Sequence, residues 1–151
     1  MASDRGRYGF APDPEHAGWF VRRAAGIGRF VDIFGDIRVR PEGPATARMR
    51  VVPGPQHRNL TETVHGGFLL ALVDQAYFVC PTALGITGAM NGLTVDSATQ
   101  FLAPLVIDRP IDVVVEVLRE TGRMIFMRGL IEQDDVRALA FSGTIRKASA
   151  R

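Results

Sequence analysis

The stretch "TVHGGFLLALVDQAYF", from Thr63 to Phe78, combines residues that could do chemistry with an apolar run. Gly66 and Gly67 stand where that run begins, and the carboxylate of Asp74 stands in its middle. The first N–H groups of a helix have no intrahelical partners, so together with the helix dipole they stabilise an anion or a polarised carbonyl oxygen. The alternative is a glycine turn that only lets the chain enter the helix.

The position of Asp74 raises a second question. Burying an unpaired carboxylate costs several kcal/mol, comparable with the whole stability of a small domain, so this charge must be paired, hydrated or functional. Asp74 lies about 12 Å along the helix from the glycine pair, too far to act easily on the same bound atom within one chain. In a dimer, an antiparallel copy of the helix would bring Asp74 of one subunit to the helix start of the other. The alternative is a buried aspartate bonded to a neighbouring arginine or hydroxyl.

Other kinds of site find little support. His65 could be a general base, a metal ligand or a residue that holds the loop by a hydrogen bond, but His16, His57 and His65 lack the spacing of a metal pair. No G-x-S-x-G motif occurs, and Cys80 inside an apolar helix lacks the electropositive setting of a reactive thiolate. Phosphate-loop and dinucleotide fingerprints are absent as well. The sequence therefore predicts neither a metal nor a cofactor.

The spacing of apolar and polar residues predicts the helices and strands that must position these residues. "FLLALVDQAYFVCPTALG" is apolar on nearly every side and predicts a buried helix, preceded by a hairpin formed by "RFVDIFGDIRVRP" and "ATARMRVVPG". Four further strands are predicted in "LTVDSATQFLAP", "IDVVVEVLRE", "RMIFMRGLIEQ" and "VRALAFSGTIRK", joined by short turns that favour antiparallel pairing. The expected class is α+β, with a curved antiparallel sheet of about six strands around one long helix. Any uncovered side of the helix or sheet favours a homodimer over a monomer.

Composition narrows the class of protein. The 151 residues are 46% hydrophobic and 23% charged, which fits one globular domain, expected over residues 13–151. Residues 1–12 are expected to be disordered, with Asp13 as the N-cap of a short helix that follows. One cysteine and no secretory h-region predict a cytoplasmic protein, and the most apolar run is too interrupted to span a membrane. A net charge of +2 without a recognition motif argues against nucleic-acid binding.

The string "NLTETVHGGFLLALVDQA" resembles the hotdog-fold acyl-CoA thioesterases, in particular their phenylacetate-pathway (PaaI-like) branch. That motif reads approximately N-x-x-G-x-x-HGG-x-x-x-x-L-x-D, and the residues in register with it are Asn59, His65, Gly66, Gly67, Leu72 and Asp74. Further on, "GLTVDSATQFLAP" resembles the strand after the helix, where Thr94, Asp96 and Pro104 match. Glu62 stands where the family usually has glycine, which leaves the path of the loop open.

The resemblance implies a hotdog fold and hydrolysis of acyl-CoA to a free acid and CoA by a homodimer or homotetramer with shared sites. The N–H of Gly66 would polarise the thioester carbonyl, and Asp74 from the facing subunit would act as general base or as nucleophile. Thr94 would help to place the water or the carboxylate. Asn59 would orient the nucleophile or the thioester, and His65 would hold the loop near the carbonyl. The competing hypotheses are a non-catalytic acyl-CoA-binding protein and a hotdog dehydratase or hydratase.

The substrate is the least defined feature of the sequence. Gly67 at the start of the helix is one substrate-binding candidate. The candidates for binding the acyl group lie beside Asp74 on the helix, and they are Phe68, Leu69, Leu70, Tyr77 and Phe78. Their bulk suits an aryl or medium-chain acyl group better than acetyl, although the alternative for each is a core position. Arg123, with Arg128 or Arg146, could hold the phosphates of CoA, although each could also be an ordinary surface arginine.

Overall fold

The computed structural model describes residues 4–149. Within this range, two α-helices, eight strands and two 3-10 helices follow one another. The α-helices are α1 (Asp4–Arg7) and α2 (Gly66–Ala83), and the 3-10 helices are Phe30–Phe34 and Pro55–His57. The strands are β1 (Ala11–Pro12), β2 (Phe20–Arg22), β3 (Ile37–Pro41), β4 (Thr46–Val51), β5 (Leu93–Phe101), β6 (Ile111–Glu120), β7 (Met124–Gln133) and β8 (Val136–Arg146).

All eight strands form one antiparallel sheet in the order β1-β2-β3-β4-β6-β7-β8-β5. Helix α2 packs against the strands from β3 to β8, so a single sheet wraps one long helix. This is the hotdog fold that the sequence predicts. The sheet has eight strands rather than about six because β1 and β2, of two and three residues, extend it beyond β3.

The N-terminal segment differs from the sequence prediction. Disorder is predicted for residues 1–12, whereas residues 4–12 contain α1 and β1, and residues 1–3 lie outside the described part of the chain. The helix predicted after Asp13 is instead the turn of a β1–β2 hairpin. Asp13 donates its N–H to the oxygen of Trp19 and accepts the N–H of Glu15 on its carboxylate, so it stabilises this turn. Gly18, with φ of 80°, reverses the chain.

The predicted first hairpin forms, but its first strand is shorter than expected. β3 and β4 pair with Val39 opposite Met49, as the alternating pattern requires. Residues 30–34 are a 3-10 helix instead of strand, because the carboxylate of Asp32 accepts the N–H groups of Gly28 and Arg29 and so stabilises a helical turn. The four strands predicted after α2 all form.

Most of α2 is buried, but one stripe of it is exposed. Leu72, Ala76, Tyr77 and Cys80 are fully buried against the sheet. Gly67, Leu70 and Asp74 are exposed and lie three to four residues apart, which places them on one face. The prediction of a helix buried on nearly every side is therefore wrong for this face. By length and composition α2 could cross a membrane, but 61% of it is buried inside the protein, as in the core helix of a domain.

Candidate active site

The start of α2 carries a backbone donor, the N–H of Gly66, that has no acceptor among the described residues. The His65 carbonyl accepts the N–H groups of Phe68 at 3.0 Å and Leu69 at 3.3 Å, so it points along the helix. Because a trans peptide is planar, the N–H of Gly66 in the same peptide must point the opposite way, out of the helix. Among residues 4–149, no group accepts a hydrogen bond from it. Gly66 therefore supplies the unoccupied donor that an oxyanion site requires.

His65 is the N-cap of α2, and its side chain bonds to the next backbone donor, the N–H of Gly67. Its side-chain Nδ1 accepts the N–H of Gly67 at 2.8 Å, so in the neutral ring the hydrogen is on Nε2. The N–H of Gly67 is therefore hydrogen-bonded to His65, whereas the N–H of Gly66 has no acceptor among the described residues. This hydrogen bond supports the loop-holding role predicted for His65, which stays a prediction, and Gly67 itself is exposed.

Asp74 is on the exposed stripe and is held by Thr94. The hydroxyl of Thr94 on β5 donates to Oδ1 of Asp74 at 2.6 Å. A β-bulge between Thr94 and Asp96 makes this contact possible. Thr94 and Ser97 are three residues apart and would normally face opposite sides of the sheet, but the extra residue turns both towards α2. The carboxylate is exposed in the single chain, so it is hydrated and oriented rather than buried and unpaired.

The loop before the helix is organised by Asn59. Its Oδ1 accepts the N–H groups of Thr61 and Thr63 and the Thr61 hydroxyl, and its Nδ2 donates to the Thr63 hydroxyl at 2.8 Å. These bonds use the amide oxygen and one Nδ2 hydrogen to support the loop, and the second Nδ2 hydrogen has no acceptor among residues 4–149, so the role of Asn59 towards the thioester stays a prediction. Glu62 lies in the same loop at φ of 66°, a left-handed conformation that favours glycine, and its carboxylate pairs with Arg58 at 3.1 Å.

Two predicted substrate-binding residues lie in the core instead. Phe68 is 4% exposed and stacks on the ring of His57, and Tyr77 is 0% exposed. The hydroxyl of Tyr77 hydrogen-bonds to that of Ser97 at 2.9 Å, and its ring packs against Phe141. The side chain of Phe68 contacts His57. That of Tyr77 extends to β5, the strand whose Thr94 holds Asp74, and its hydroxyl is bonded to Ser97 there. Because apolar faces serve cores and pockets alike, the sequence could not separate these two uses.

Phe101 at the end of β5 is a site residue that the sequence patterns do not predict. A Cβ placed on Gly66 would lie 3.2 Å from its ring, so the ring lies beside the unoccupied N–H. The side chain is 55% exposed, although it is large and apolar. Leu70 is 43% exposed, and Phe78 on the same face of α2 is partly exposed. These three residues supply the apolar surface around the site, and only the aromatic position within "TQFLAP" could have suggested Phe101.

Arg123 lies in the turn between β6 and β7, at the end of the sheet that carries Thr94. Leu93, Arg146 and Met124 form one row across β5, β8 and β7, and Arg123 continues beyond it. Two strand spacings separate β5 from β7, about 10 Å. Arg123 is exposed, and no carboxylate within residues 4–149 forms an ion pair with it. This guanidinium is therefore accessible to an anion.

Neither a metal site nor a thiol nucleophile belongs to this arrangement. In the described part of the chain, ligand atoms of Asp13, Glu15 and His16 lie within 4.8 Å of one another, but they belong to the N-terminal turn. There Arg38 donates to the Asp13 carboxylate at 2.7 Å, so ion pairing accounts for the cluster. Cys80 is fully buried, and burial raises the pKa of its thiol far above the usual range.

A long helix inside one curved antiparallel sheet, with an open helix start and an exposed carboxylate, defines a hotdog-fold protein. The family model described as "Thioesterase superfamily" matches residues 61–140, from the loop before α2 into β8. The match covers more than half of the chain, so the chain belongs to the thioesterase superfamily.

Solved structures support the fold. A mutant of the phenylacetic acid degradation protein PaaI from Thermus thermophilus superposes with a TM-score of 0.65 at 21% identity, covering 79% of this chain and 98% of that one. Thioesterase superfamily member 2 of zebra fish superposes with a TM-score of 0.70 at 18% identity, covering 83% of this chain and 91% of that one. A hypothetical thioesterase from Streptococcus pneumoniae TIGR4, solved with coenzyme A, superposes with a TM-score of 0.69 at 17% identity, covering 80% of this chain and 92% of that one. The comparison with curated proteins found no match.

Proposed function

We propose that this protein hydrolyses acyl-CoA thioesters in sites shared between two copies of the chain. The observation that carries the proposal is the separation of two complementary groups. The Asp74 carboxylate, oriented by Thr94, lies on the same exposed face as the unoccupied Gly66 N–H, but about two helical turns away from it. Neither group completes a site alone, and a second chain would complete both.

The symmetry of these positions supports a two-fold arrangement. On α2, Leu70 lies halfway between Gly66 and Asp74 and is exposed. On β5, the midpoint between Thr94 and Phe101 falls at Ser97 and Ala98. β5 is the last strand of the sheet, and its free edge is nine residues long, a surface that a second β5 could pair with. A two-fold axis near both midpoints would bring Asp74 and Thr94 of one subunit to Gly66 and Phe101 of its partner.

The chemistry then needs only these groups. Asp74 removes a proton from water as the oxygen attacks the thioester carbonyl carbon, and Gly66 N–H stabilises the negative charge on the carbonyl oxygen. Collapse of the tetrahedral intermediate breaks the carbon–sulfur bond and releases the acid, and the CoA thiolate takes the proton back from Asp74. General-base catalysis contributes about 10²- to 10⁴-fold in rate and one oxyanion donor about 3 kcal/mol. In the variant mechanism, Asp74 attacks directly and water hydrolyses the resulting anhydride.

The substrate is proposed as an aryl or medium-chain acyl-CoA. Phe101, Leu70 and Phe78 offer an apolar surface larger than an acetyl group needs. Each CH₂ that such a surface removes from water contributes about 0.8 kcal/mol. Arg123 would bind a phosphate of CoA through an exposed contact that salt weakens.

The test is a thiol-release assay on acetyl-, medium-chain and phenylacetyl-CoA, and on a short thioester that lacks the nucleotide. Asp74→Asn keeps the shape of the side chain and should lower kcat at least about 10²-fold. Asp108→Asn, the same change at another exposed aspartate, is the matched control and should leave kcat unchanged. Binding of acyl-CoA without release of CoA would favour the non-catalytic alternative, and full activity of Asp74→Asn would overturn the mechanism.

A further inference from the structure

His57 contacts the polypeptide on both sides of Gly66. Its carbonyl oxygen accepts the N–H of His65, the residue before Gly66, at 2.7 Å. Its ring stacks on that of Phe68, two residues after Gly66, with centroids 3.8 Å apart and planes 21° from parallel. The direction of the Gly66 N–H is set by the His65–Gly66 peptide plane, whose carbonyl accepts the N–H of Phe68, so His57 contacts both residues that fix this plane.

The ring of His57 is itself fixed from two directions. Nδ1 accepts the N–H of Gly54 at 2.8 Å, so Nε2 carries the hydrogen and donates it to the carbonyl oxygen of Ile33 at 2.6 Å. Ile33 belongs to the 3-10 helix Phe30–Phe34, and Gly54 begins the turn that contains His57. The side chain is 3% exposed, so it cannot exchange these partners for water. The ring therefore connects the N-terminal 3-10 helix to the first turn of α2.

We propose that His57 is a positioning residue for the oxyanion donor, an inference that rests on the proposed thioester hydrolysis. It does not touch substrate. Its ring, fixed by Gly54 and Ile33, packs on Phe68 and holds in place the His57 carbonyl that accepts the His65 N–H. In this way it keeps the His65–Gly66 peptide plane in the orientation that directs the Gly66 N–H outward. An ordinary core histidine would contribute to folding alone, whereas a positioning residue acts on one half of each shared site.

Two variants separate the contacts of the ring. His57→Phe keeps an aromatic ring for stacking on Phe68 and removes both ring hydrogen bonds, and His57→Gln keeps a polar side chain and removes the stacking. Each should lower kcat about tenfold or more, because small misplacements of a catalytic group are costly, while KM changes less than about threefold. His16→Gln, at a half-exposed histidine of the N-terminal turn, is the matched control and should keep the kcat of the unmodified protein.

Hybrid dimers test the inference most sharply. Chains carrying two different tags are co-expressed and the mixed dimer is purified through both. His57→Phe paired with Asp74→Asn leaves one shared site with an intact Gly66 loop and an intact Asp74, so about half of the activity should return. His57→Phe paired with Gly66→Ala damages the Gly66 side of both sites, so activity should not return.

The reference for both mixtures is the hybrid of Asp74→Asn with Gly66→Ala. If that hybrid is active but His57→Phe behaves alike with either partner, the positioning role is overturned and the proposed function stands. An unchanged kcat in both His57 variants would overturn it as well. If the unmodified protein releases no CoA, the proposed function fails and this inference fails with it.

Discussion

Asp74 and Gly66 show how little a single residue reveals of its use. An aspartate in an apolar helix has to be paired, hydrated or functional. Here it is exposed and bonded to a threonine from another element, 20 positions along the chain. Gly66 is informative through its peptide plane, which leaves one N–H without a partner among the described residues. What these residues do therefore depends on geometry supplied by other elements.

Glu62 provides a prediction about stability. Its φ of 66° places a side chain in the left-handed region, at a cost of about 1–2 kcal/mol relative to an ordinary backbone conformation. Glu62→Gly removes this strain, and the greater freedom of glycine in the unfolded chain offsets part of the gain. We expect a net stabilisation of about 1 kcal/mol, measured as the free energy of unfolding in urea.

The control for this prediction is Glu62→Ala, which also loses the exposed pair with Arg58 but keeps a Cβ in the same conformation. It should give no stabilisation. Equal effects of alanine and glycine would show that the ion pair or the charge, and not the backbone, determines the result.

At the scale of elements, the N-terminal hairpin is tied to the sheet by one buried carboxylate. Asp13 accepts hydrogen bonds from Arg38 on β3, from His16 and from the N–H of Glu15. Burial by itself would raise the pKa of Asp13, but the Glu15 N–H and the Arg38 and His16 side chains lower the pKa to about 2, from an ordinary 3.8. This element should therefore be sensitive to acid.

The sign of the pH dependence follows from that pKa. A carboxylate whose pKa is lower in the folded protein stabilises it fully above pH 3.8, and the contribution is lost as the pH falls towards 2. Unfolding by urea is measured for the unmodified protein and for Asp13→Asn from pH 7 to pH 2. The difference in unfolding free energy should be constant near neutral pH and should shrink below about pH 4. Asp135→Asn, in the β7–β8 turn, serves as the matched control, and a difference that stays constant down to pH 2 would contradict the assignment.

The elements that could be predicted from sequence are those with a strong period and clear turns. The long helix, the β3–β4 hairpin and the four strands after α2 follow from apolar patterning, and the hotdog fold is implied by the resemblance carried by Asn59, the HGG motif, Asp74 and the "TVD" strand. The β1–β2 hairpin could not be predicted because Asp-Pro begins a turn as readily as a helix, and the bond from Arg38 that ties Asp13 to the sheet comes from 25 residues away. Similarly, no local pattern indicates the bulge that turns Thr94 towards Asp74, or the approach of Phe101 to Gly66.

For the whole molecule, the exposed apolar side chains indicate where the single chain needs a partner. Leu70 on α2 and Phe101 at the end of β5 are large apolar side chains, and they are 43% and 55% exposed. A cluster of this kind on one side of a molecule marks an interaction surface. It coincides with the incomplete site, so assembly and catalysis should depend on the same residues.

Leu70→Arg tests this dependence at the proposed two-fold axis. In a symmetric dimer the residue on the axis meets its own copy, so the substitution places two like charges together in a surface that loses its water. Leu70 is partly exposed in the single chain, so the fold should be retained, as checked by circular dichroism and thermal unfolding. The variant should sediment as a monomer at micromolar concentration, and its kcat/KM should fall at least about 10²-fold, because Asp74 and Gly66 no longer share a site. Leu118→Arg makes the same change at an exposed leucine of β6 and should remain assembled and active. A Leu70→Arg protein that sediments as a monomer and retains full activity would place both catalytic groups in one chain and exclude the shared site.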